Sequence, residues 1–176
     1  MHCIARDGID EVNVDAVGRE LCQSRAHLYR RFGDWQGLLR HVHGQVLRAI
    51  DAHVPLYEGD AGRSFGTWWQ LSATLLRADN GRAFRALRGR VAGDGGVEEL
   101  AVQELGSMPT FVRWFTTHTG EAGDQLRALQ VWLLLLAATP FPEESEPAMA
   151  LREAAWGIVE RGRVSTPAEE PDPLAQ

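Results

Sequence analysis

Hydrophobic and polar positions alternate with helical spacing along nearly the whole chain. Asn13 is a good N-cap, and it is followed by apolar residues at i, i+3 and i+7, namely Val14, Val17 and Leu21. This pattern predicts a two-turn helix with one apolar face. Ser24 offers a second N-cap a few residues later, and the helix that it begins places Leu28 and Phe32 on one inward face.

The outer face of this second helix is basic and aromatic. It carries Arg25, Ala26, His27, Tyr29, Arg30 and Arg31. A helix fits the major groove of DNA, where Arg, His and Tyr supply donors for phosphates and bases. An Arg-rich helix face that is merely solvated is the alternative. The pairing with a preceding helix through a tight turn favours DNA binding.

Further apolar periodicity predicts only helices. One helix begins after Asp34, which can act as its N-cap. The others cover residues 65–78, 82–91, 97–118 with a break near 107–109, 121–138 and 143–161. Ser64 is the predicted N-cap of the first of the later helices, and residues 79–81 are predicted to end it. No segment is typical of a β-hairpin, so the predicted fold class is all-α.

Three regions follow from this pattern. Residues 1–50 form a predicted DNA-binding head, joined by a long helix to a body over residues 51–163, to which the family resemblance given below assigns ligand binding and dimerisation. The tail over residues 164–176 is rich in proline and acidic residues, and we expect it to be disordered. We call residues 1–50 the head and residues 51–163 the body.

Charge separates along the same division. The chain has a formal net charge of -6, but residues 1–50 contain seven arginines and six acids, whereas residues 51–176 contain eleven arginines and eighteen acids. Within residues 19–48 there are six arginines and two acids. Positive charge is therefore concentrated at the predicted DNA-binding helices, and there it comes from arginine alone.

Other classes of protein find little support in the sequence. Cys3 and Cys22 do not form a disulfide framework, which favours a reduced, cytoplasmic setting. The longest apolar run, residues 131–138, is far shorter than the roughly 20 residues of a membrane span, so we expect no contact with a membrane. His41, His43 and His53 lack the spacing of metal ligands on one helix face, and no catalytic motif is present. We predict neither an enzyme nor a bound metal or cofactor.

From Gly8 to Leu39, about a fifth of the chain, the sequence resembles the DNA-binding domain of TetR-type (tetracycline-repressor-like) transcriptional regulators. In that family a glycine follows the first helix, Ser-x-x-x-Leu-Tyr-x-x-Phe lies on the recognition helix, and Leu-Leu lies on the fourth helix. The matching residues are Gly8, Ser24, Leu28, Tyr29, Phe32, Gly33, Asp34, Leu38 and Leu39. The chain departs from the family at Leu21-Cys22, where Ala-Gly is usual, and at Val12-Asn13 and Trp35.

The resemblance implies a homodimeric, ligand-responsive repressor that binds double-stranded operator DNA. Ser24, Arg25, Tyr29 and Arg30 would hold phosphates, and Ala26 and His27 would approach bases. Asn13 and Arg31 complete the predicted DNA-binding set. The last two helices would pair with those of a second subunit, since residues 133–136 are apolar on too many faces for a half-exposed helix; a monomer that buries this helix is the competing account.

The effector implied by the resemblance is a small apolar or aromatic molecule. Candidate pocket residues are Trp68, Trp69, Phe84, Met108, Phe111, Trp114, Phe115 and Trp132. Aromatic residues at helical spacing are often simply core, and that alternative stays open. Nearby, Arg85, Arg88, Arg113 and His118 are candidates to meet an anionic group.

The main alternative is a TetR-like small-molecule-binding dimer with weak or lost operator binding. It is motivated by Cys22 in the turn, by the acidic body and by a first helix, residues 1–7, that is shorter than in the family. Either the chain starts upstream of residue 1, or its first helix is clipped. Activation in place of repression is a smaller variation.

Overall fold

The computed structural model describes residues 1–54, 60–92, 96–119 and 124–162, with only the backbone at 78, 96–98, 118, 119 and 124. Within these ranges all regular structure is helical, so the predicted all-α class is confirmed. The helices are α1 (His2–Asp7), α2 (Val14–Glu20), α3 (Arg25–Phe32), α4 (Trp35–Asp51), α5 (Ala61–Leu75), α6 (Ala78–Ala92), α7 (Gly96–Gly106), α8 (Pro109–Thr119), α9 (Asp124–Ala138) and α10 (Glu146–Gly162). The predicted tail, residues 164–176, lies outside the described residues.

Two helix starts differ from the predictions. The helix α5 begins at Ala61 because the side chain of Asp60 accepts a hydrogen bond from the Arg63 amide at 2.8 Å, so Asp60 rather than Ser64 is the N-cap. The residues predicted to end this segment, 79–81, lie instead in the first turn of α6. A Cβ at Gly81 would lie 1.7 Å from the Leu76 carbonyl oxygen, so this glycine permits a close junction between α5 and α6.

A larger core cluster fills the part of the molecule built from α5 to α10 and the end of α4. Its biggest members are Leu47, Ile50, Phe65, Trp68, Trp69, Phe84, Met108, Phe111, Trp114, Phe115, Trp132 and Leu135. The helices α9 and α10 pack along each other, and α10 also contacts α5 and α8. At the end of α4, the Asp51 carboxylate accepts hydrogen bonds from the amides of Thr110 and Phe111, at 3.2 and 2.7 Å. It therefore caps α8 from outside that helix.

A smaller core cluster joins the first helices to α6. It consists of Cys3, Ile4, Val12, Leu39, Ala83 and Leu87. Two of these residues, Ala83 and Leu87, lie on α6, and Arg90 on the same helix forms an ion pair with Asp10. The core beneath the head is thus completed by a helix of the body, on the far side of the predicted boundary at residue 50.

Candidate nucleic-acid interface and ligand-binding region

The helices α2 and α3 begin at the predicted caps. The Asn13 side chain accepts hydrogen bonds from the amides of Asp15 and Ala16, at 3.1 and 3.0 Å. The Ser24 hydroxyl accepts one from the His27 amide at 3.1 Å. Both N-cap predictions are confirmed, because each side chain satisfies amides that the first turn of its helix leaves without partners.

The turn between α2 and α3 is made without glycine. Cys22 adopts φ 52°, a left-handed conformation that side chains other than glycine seldom take. The glycine that the geometry does require lies earlier, on α2. A Cβ at Gly18 would come 2.7 Å from the Gln23 carbonyl oxygen. The Gln23 amide also donates a hydrogen bond to the Gly18 carbonyl at 2.8 Å. Gly18 therefore lets the chain turn back closely against α2, a role that we did not predict.

The helix α3 is fixed from its inner side. Leu28 is buried, as predicted, and the ring of the half-buried Phe32 lies 4.9 Å from the ring of His41 on α4. Gly33 has φ 82°, and Asp34 then caps α4 by accepting from the Gly37 amide at 2.6 Å. These contacts hold α3 against α4 and set the direction of its outer face.

The predicted DNA-binding residues lie together on that outer face and beside it. Arg25, Ala26, Arg30 and Arg31 are exposed, His27 and Tyr29 are half-buried, and the capping residues Asn13 and Ser24 are exposed. An ion pair of 3.6 Å between Arg25 and Asp15 places the start of α2 next to the start of α3. All eight predicted residues therefore belong to one surface, which we call the α3 surface.

Several side chains of the α3 surface are held by one another. The Arg25 guanidinium donates to the Tyr29 hydroxyl at 3.3 Å and lies 5.3 Å from the centre of its ring. Arg30 Nη2 lies 3.3 Å from His27 Nδ1. Arginine can only donate, so Nδ1 is the acceptor and the hydrogen of a neutral His27 ring is on Nε2. The α3 surface thus offers mainly hydrogen-bond donors and positive charge.

The eight residues predicted to line an effector pocket all lie in the larger core cluster. Trp68 stacks on Phe111 with ring centres 4.4 Å apart. The Phe111 and Trp114 rings are nearly parallel, with centres 6.5 Å apart. Phe84 meets Trp132 edge to face at 6.5 Å. The rings pack against one another, and each of the eight side chains is almost completely buried.

An open groove lies elsewhere, between α7, α8 and α9. It has a volume of about 730 Å³, and its lining is Val102, Leu105, Gly106, Pro109, Val112, Gln125, Leu126 and Leu129. None of the eight predicted residues contributes to this lining. The groove is mainly apolar, with Gln125 as its polar side chain, and it includes the exposed side chains of Val102 and Leu126.

A buried carboxylate that the sequence analysis missed lies in the body. Glu104 on α7 is completely buried, and its two oxygens accept four hydrogen bonds. Arg88 binds it with Nε at 2.8 Å and Nη2 at 3.0 Å, His43 Nε2 lies at 3.0 Å, and Trp132 Nε1 at 2.9 Å. We call these four residues the Glu104 network; they join α4, α6, α7 and α9.

The Glu104 network determines the charge state of its central carboxyl. Burial by itself raises the pKa of Glu104, but the hydrogen bonds from His43, Arg88 and Trp132, together with the positive charge of Arg88, outweigh burial and hold the pKa below its usual value. Because a carboxylate can only accept, His43 Nε2 carries a hydrogen toward it. A sequence signal did exist, since Glu104 falls on the same helix face as Leu100 and Met108.

Two of the three arginines proposed for an anionic effector have protein partners. Arg88 belongs to the Glu104 network, and Arg85 donates to the Thr139 hydroxyl at 3.0 Å. Arg113 is exposed, and the side chain of His118 lies outside the described residues. In the part of the chain that the structure describes, no group of three or more His, Cys, Asp or Glu side chains is placed to hold a metal ion.

Two further observations complete the description. Exposed apolar side chains on α9 and α10 include Leu126, Leu133 and Met149. None of the described helices combines the length and apolar character that crossing a bilayer requires.

Comparison with models of protein families and with curated proteins finds no match to this chain. The class that the described residues define is an all-α protein. Within it, a short capped helix pair displays an arginine-rich face and packs against α4, the helix that leads into a body with an aromatic core.

Proposed function

We propose that the chain is a TetR-like, homodimeric transcriptional regulator that binds operator DNA through the α3 surface. The observation that carries the proposal is the division of α3 into two faces. Leu28 and Phe32 fix the helix from inside, while Arg25, Arg30 and Arg31 are exposed outside. A fixed helix with donors on its outer face is what the major groove accepts.

Roles within the α3 surface follow from chemistry. The guanidinium groups of Arg25, Arg30 and Arg31 suit phosphate oxygens, and the hydroxyls of Ser24 and Tyr29 add further donors. His27 keeps Nε2–H as a donor, which suits an acceptor on a base edge, and the methyl group of Ala26 suits a thymine methyl. Asn13, at the start of α2, would meet the backbone beside the groove.

A dimer would place two α3 surfaces in successive major grooves, about 34 Å apart, on a near-palindromic operator. The exposed apolar side chains of α9 and α10 support this arrangement. Contact with a second subunit would remove them from water, which is favourable. A small apolar or aromatic effector bound in the body would release the operator. The effector would change the distance between the two heads of the dimer. It can shift the equilibrium between the DNA-bound and released spacings only to the extent that its affinity for them differs.

The test is a fluorescence-anisotropy titration of the protein against tiled fragments of its own upstream DNA at two salt concentrations. We expect saturable binding to one tile at two protomers or a multiple of two, well above the salt-sensitive background. Arg30→Ala should weaken binding about tenfold and lower the salt slope by about one. Arg82→Ala is the matched control, because Arg82 is an exposed arginine on α6, and it should bind like the wild type.

The second candidate is a TetR-like small-molecule-binding dimer with weak or lost operator binding. Two observations favour it: Cys22 holds a strained conformation in the turn, and Asp15 pairs with Arg25 on the α3 surface. Binding that is equally weak on all tiles and vanishes with salt would support this candidate. Equal binding by the Arg30→Ala and wild-type proteins would contradict the assigned contacts.

A further inference from the structure

Two buried polar atoms on α5 have no hydrogen-bond partner among the described residues. They are Trp68 Nε1 and Ser72 Oγ, on side chains that are 2% and 0% exposed. The residues are four apart on one helix and therefore lie on the same face. Buried polar atoms in folded proteins are nearly always hydrogen-bonded, so this pair requires an explanation.

Groups of the same kind elsewhere in this core do have partners. In the same core, Trp132 Nε1 donates to Glu104 at 2.9 Å. The Thr139 hydroxyl accepts from Arg85 at 3.0 Å and donates to the Leu136 carbonyl at 2.9 Å. An indole and a hydroxyl are thus fully used elsewhere in the body, whereas the corresponding groups of Trp68 and Ser72 are left for a molecule that the chain does not supply.

The ring neighbours of Trp68 are flat and apolar. The Trp68 indole stacks on Phe111, with planes 15° apart, and the rings of Phe65 and Trp69 lie 6.3 and 6.5 Å from it. No charged side chain is among these neighbours. A molecule that fits here is neutral and planar, and it must separate stacked rings to enter, as in pockets that open only on binding.

The hydrogen-bonding capacity of the pair narrows the chemistry. An indole N–H only donates, and a serine hydroxyl donates or accepts. Their common complement is an acceptor oxygen with two lone pairs. We propose that Trp68 and Ser72 form the polar end of a binding site for a neutral, planar aromatic carbonyl compound. This inference rests on the proposed function, in which such a compound is the effector.

The first test uses the protein without any ligand. Removing an unpartnered buried hydroxyl removes a desolvation cost and breaks no bond. Ser72→Ala should therefore raise the thermal unfolding midpoint by about 2–4 °C. Thr139→Val, which removes a buried hydroxyl that has partners, should lower it by a similar amount. A fall of the midpoint in Ser72→Ala equal to that in Thr139→Val would overturn the inference, because it would mean that a buried water or a protein group already satisfies the hydroxyl.

The second test compares two probes of the same shape by equilibrium dialysis. Fluorenone carries a carbonyl oxygen, and fluorene has the same three rings without it. We expect fluorenone to bind the wild type at least tenfold more tightly than fluorene. Ser72→Ala should remove most of that difference and leave fluorene binding unchanged, since only a hydrogen bond to the carbonyl is lost. Trp68→Phe should also lower the preference for fluorenone, while its smaller ring changes the binding of both probes alike. Thr139→Val should keep the full preference.

Equal binding of the two probes, no binding of either, or an unchanged preference in both Ser72→Ala and Trp68→Phe would overturn the inference. The thermal unfolding and dialysis experiments are done without DNA. Their failure is therefore separate from a failure of operator binding, which the tiled titration reports by itself.

Discussion

Replacing Glu104 by glutamine tests the Glu104 network directly. The substitution keeps the shape of the side chain and turns one oxygen into an NH2 group. Each carboxylate oxygen accepts two hydrogen bonds: Oε1 from His43 and Arg88, and Oε2 from Arg88 and Trp132. If the NH2 group takes the place of Oε2, it faces the donors of Arg88 and Trp132; if it takes the place of Oε1, it faces Arg88 Nε, whereas His43 can accept from it by carrying its hydrogen on Nδ1.

The magnitude follows from this geometry. Each buried donor left without an acceptor costs about 1–3 kcal/mol, and removal of one member of a buried ion pair costs about 3–5 kcal/mol. The Arg88 side chain keeps 17% of its surface exposed, so water relieves part of the loss. We expect Glu104→Gln to lower the free energy of unfolding by about 3–4 kcal/mol. Since the free energy of unfolding of a folded protein is about 5–15 kcal/mol, the variant should remain folded but be markedly less stable.

Urea denaturation followed by far-ultraviolet circular dichroism measures this loss without depending on the fluorescence of Trp132. Asp10→Asn is the matched control, because Asp10 pairs with Arg90 in an exposed ion pair of 78% and 53% exposure. It should cost less than about 0.5 kcal/mol. In a double-mutant cycle with Arg88→Met, the double variant should lose less than the sum of the single losses, by about 2 kcal/mol.

A loss in Glu104→Gln as small as that in Asp10→Asn would refute the reasoning. It would mean that Glu104 is solvated, or that its donors have other acceptors. Additivity in the cycle would separately contradict the pairing of Glu104 with Arg88.

Two further predictions concern pH and the turn. The lowered pKa of Glu104 stabilises the fold fully above the unfolded-state pKa of a glutamate, about 4.5, and this stabilisation is lost as the pH falls through the lower folded-state pKa. Wild type should therefore lose more stability on acidification than Glu104→Gln, and equal losses in denaturation series at several pH values would contradict this. Cys22→Gly should raise the free energy of unfolding by about 0.5–1 kcal/mol, because glycine adopts φ 52° without strain; Cys22→Ala, the control, should give no gain in the same assay.

Local signals in the sequence identified three of the four predicted N-caps, the exception being Ser64, which lies inside α5 behind the cap Asp60. Asn13, Ser24 and Asp34 cap the helices that were expected to follow them, and Leu28 is buried as its spacing predicts. Capping and helix periodicity act over three or four residues, so the sequence contains all that is needed to recognise them.

Contacts between distant residues were not predictable in the same way. The partners of Glu104 lie 61, 16 and 28 residues away along the chain, and no spacing rule connects them. The predicted end of a helix at residues 79–81 was wrong for a related reason. Gly81 looks like a helix terminator in sequence, but it is needed because the Leu76 carbonyl packs where a side chain would be.

The two faces of α6 bear on how the head and body act together. Ala83 and Leu87 lie in the smaller core cluster with Ile4 and Leu39, whereas Phe84, one position along, lies in the larger cluster. A helix is stiff over this length, so a displacement of its body face also displaces the residues beneath the head. A regulator whose head pivots on α4 alone would need this second connection to slide or break. An effector that acts as proposed therefore has to move α6 and α4 together, because these helices are joined both by the smaller core cluster and by the Glu104 network, which links Arg88 on α6 to His43 on α4.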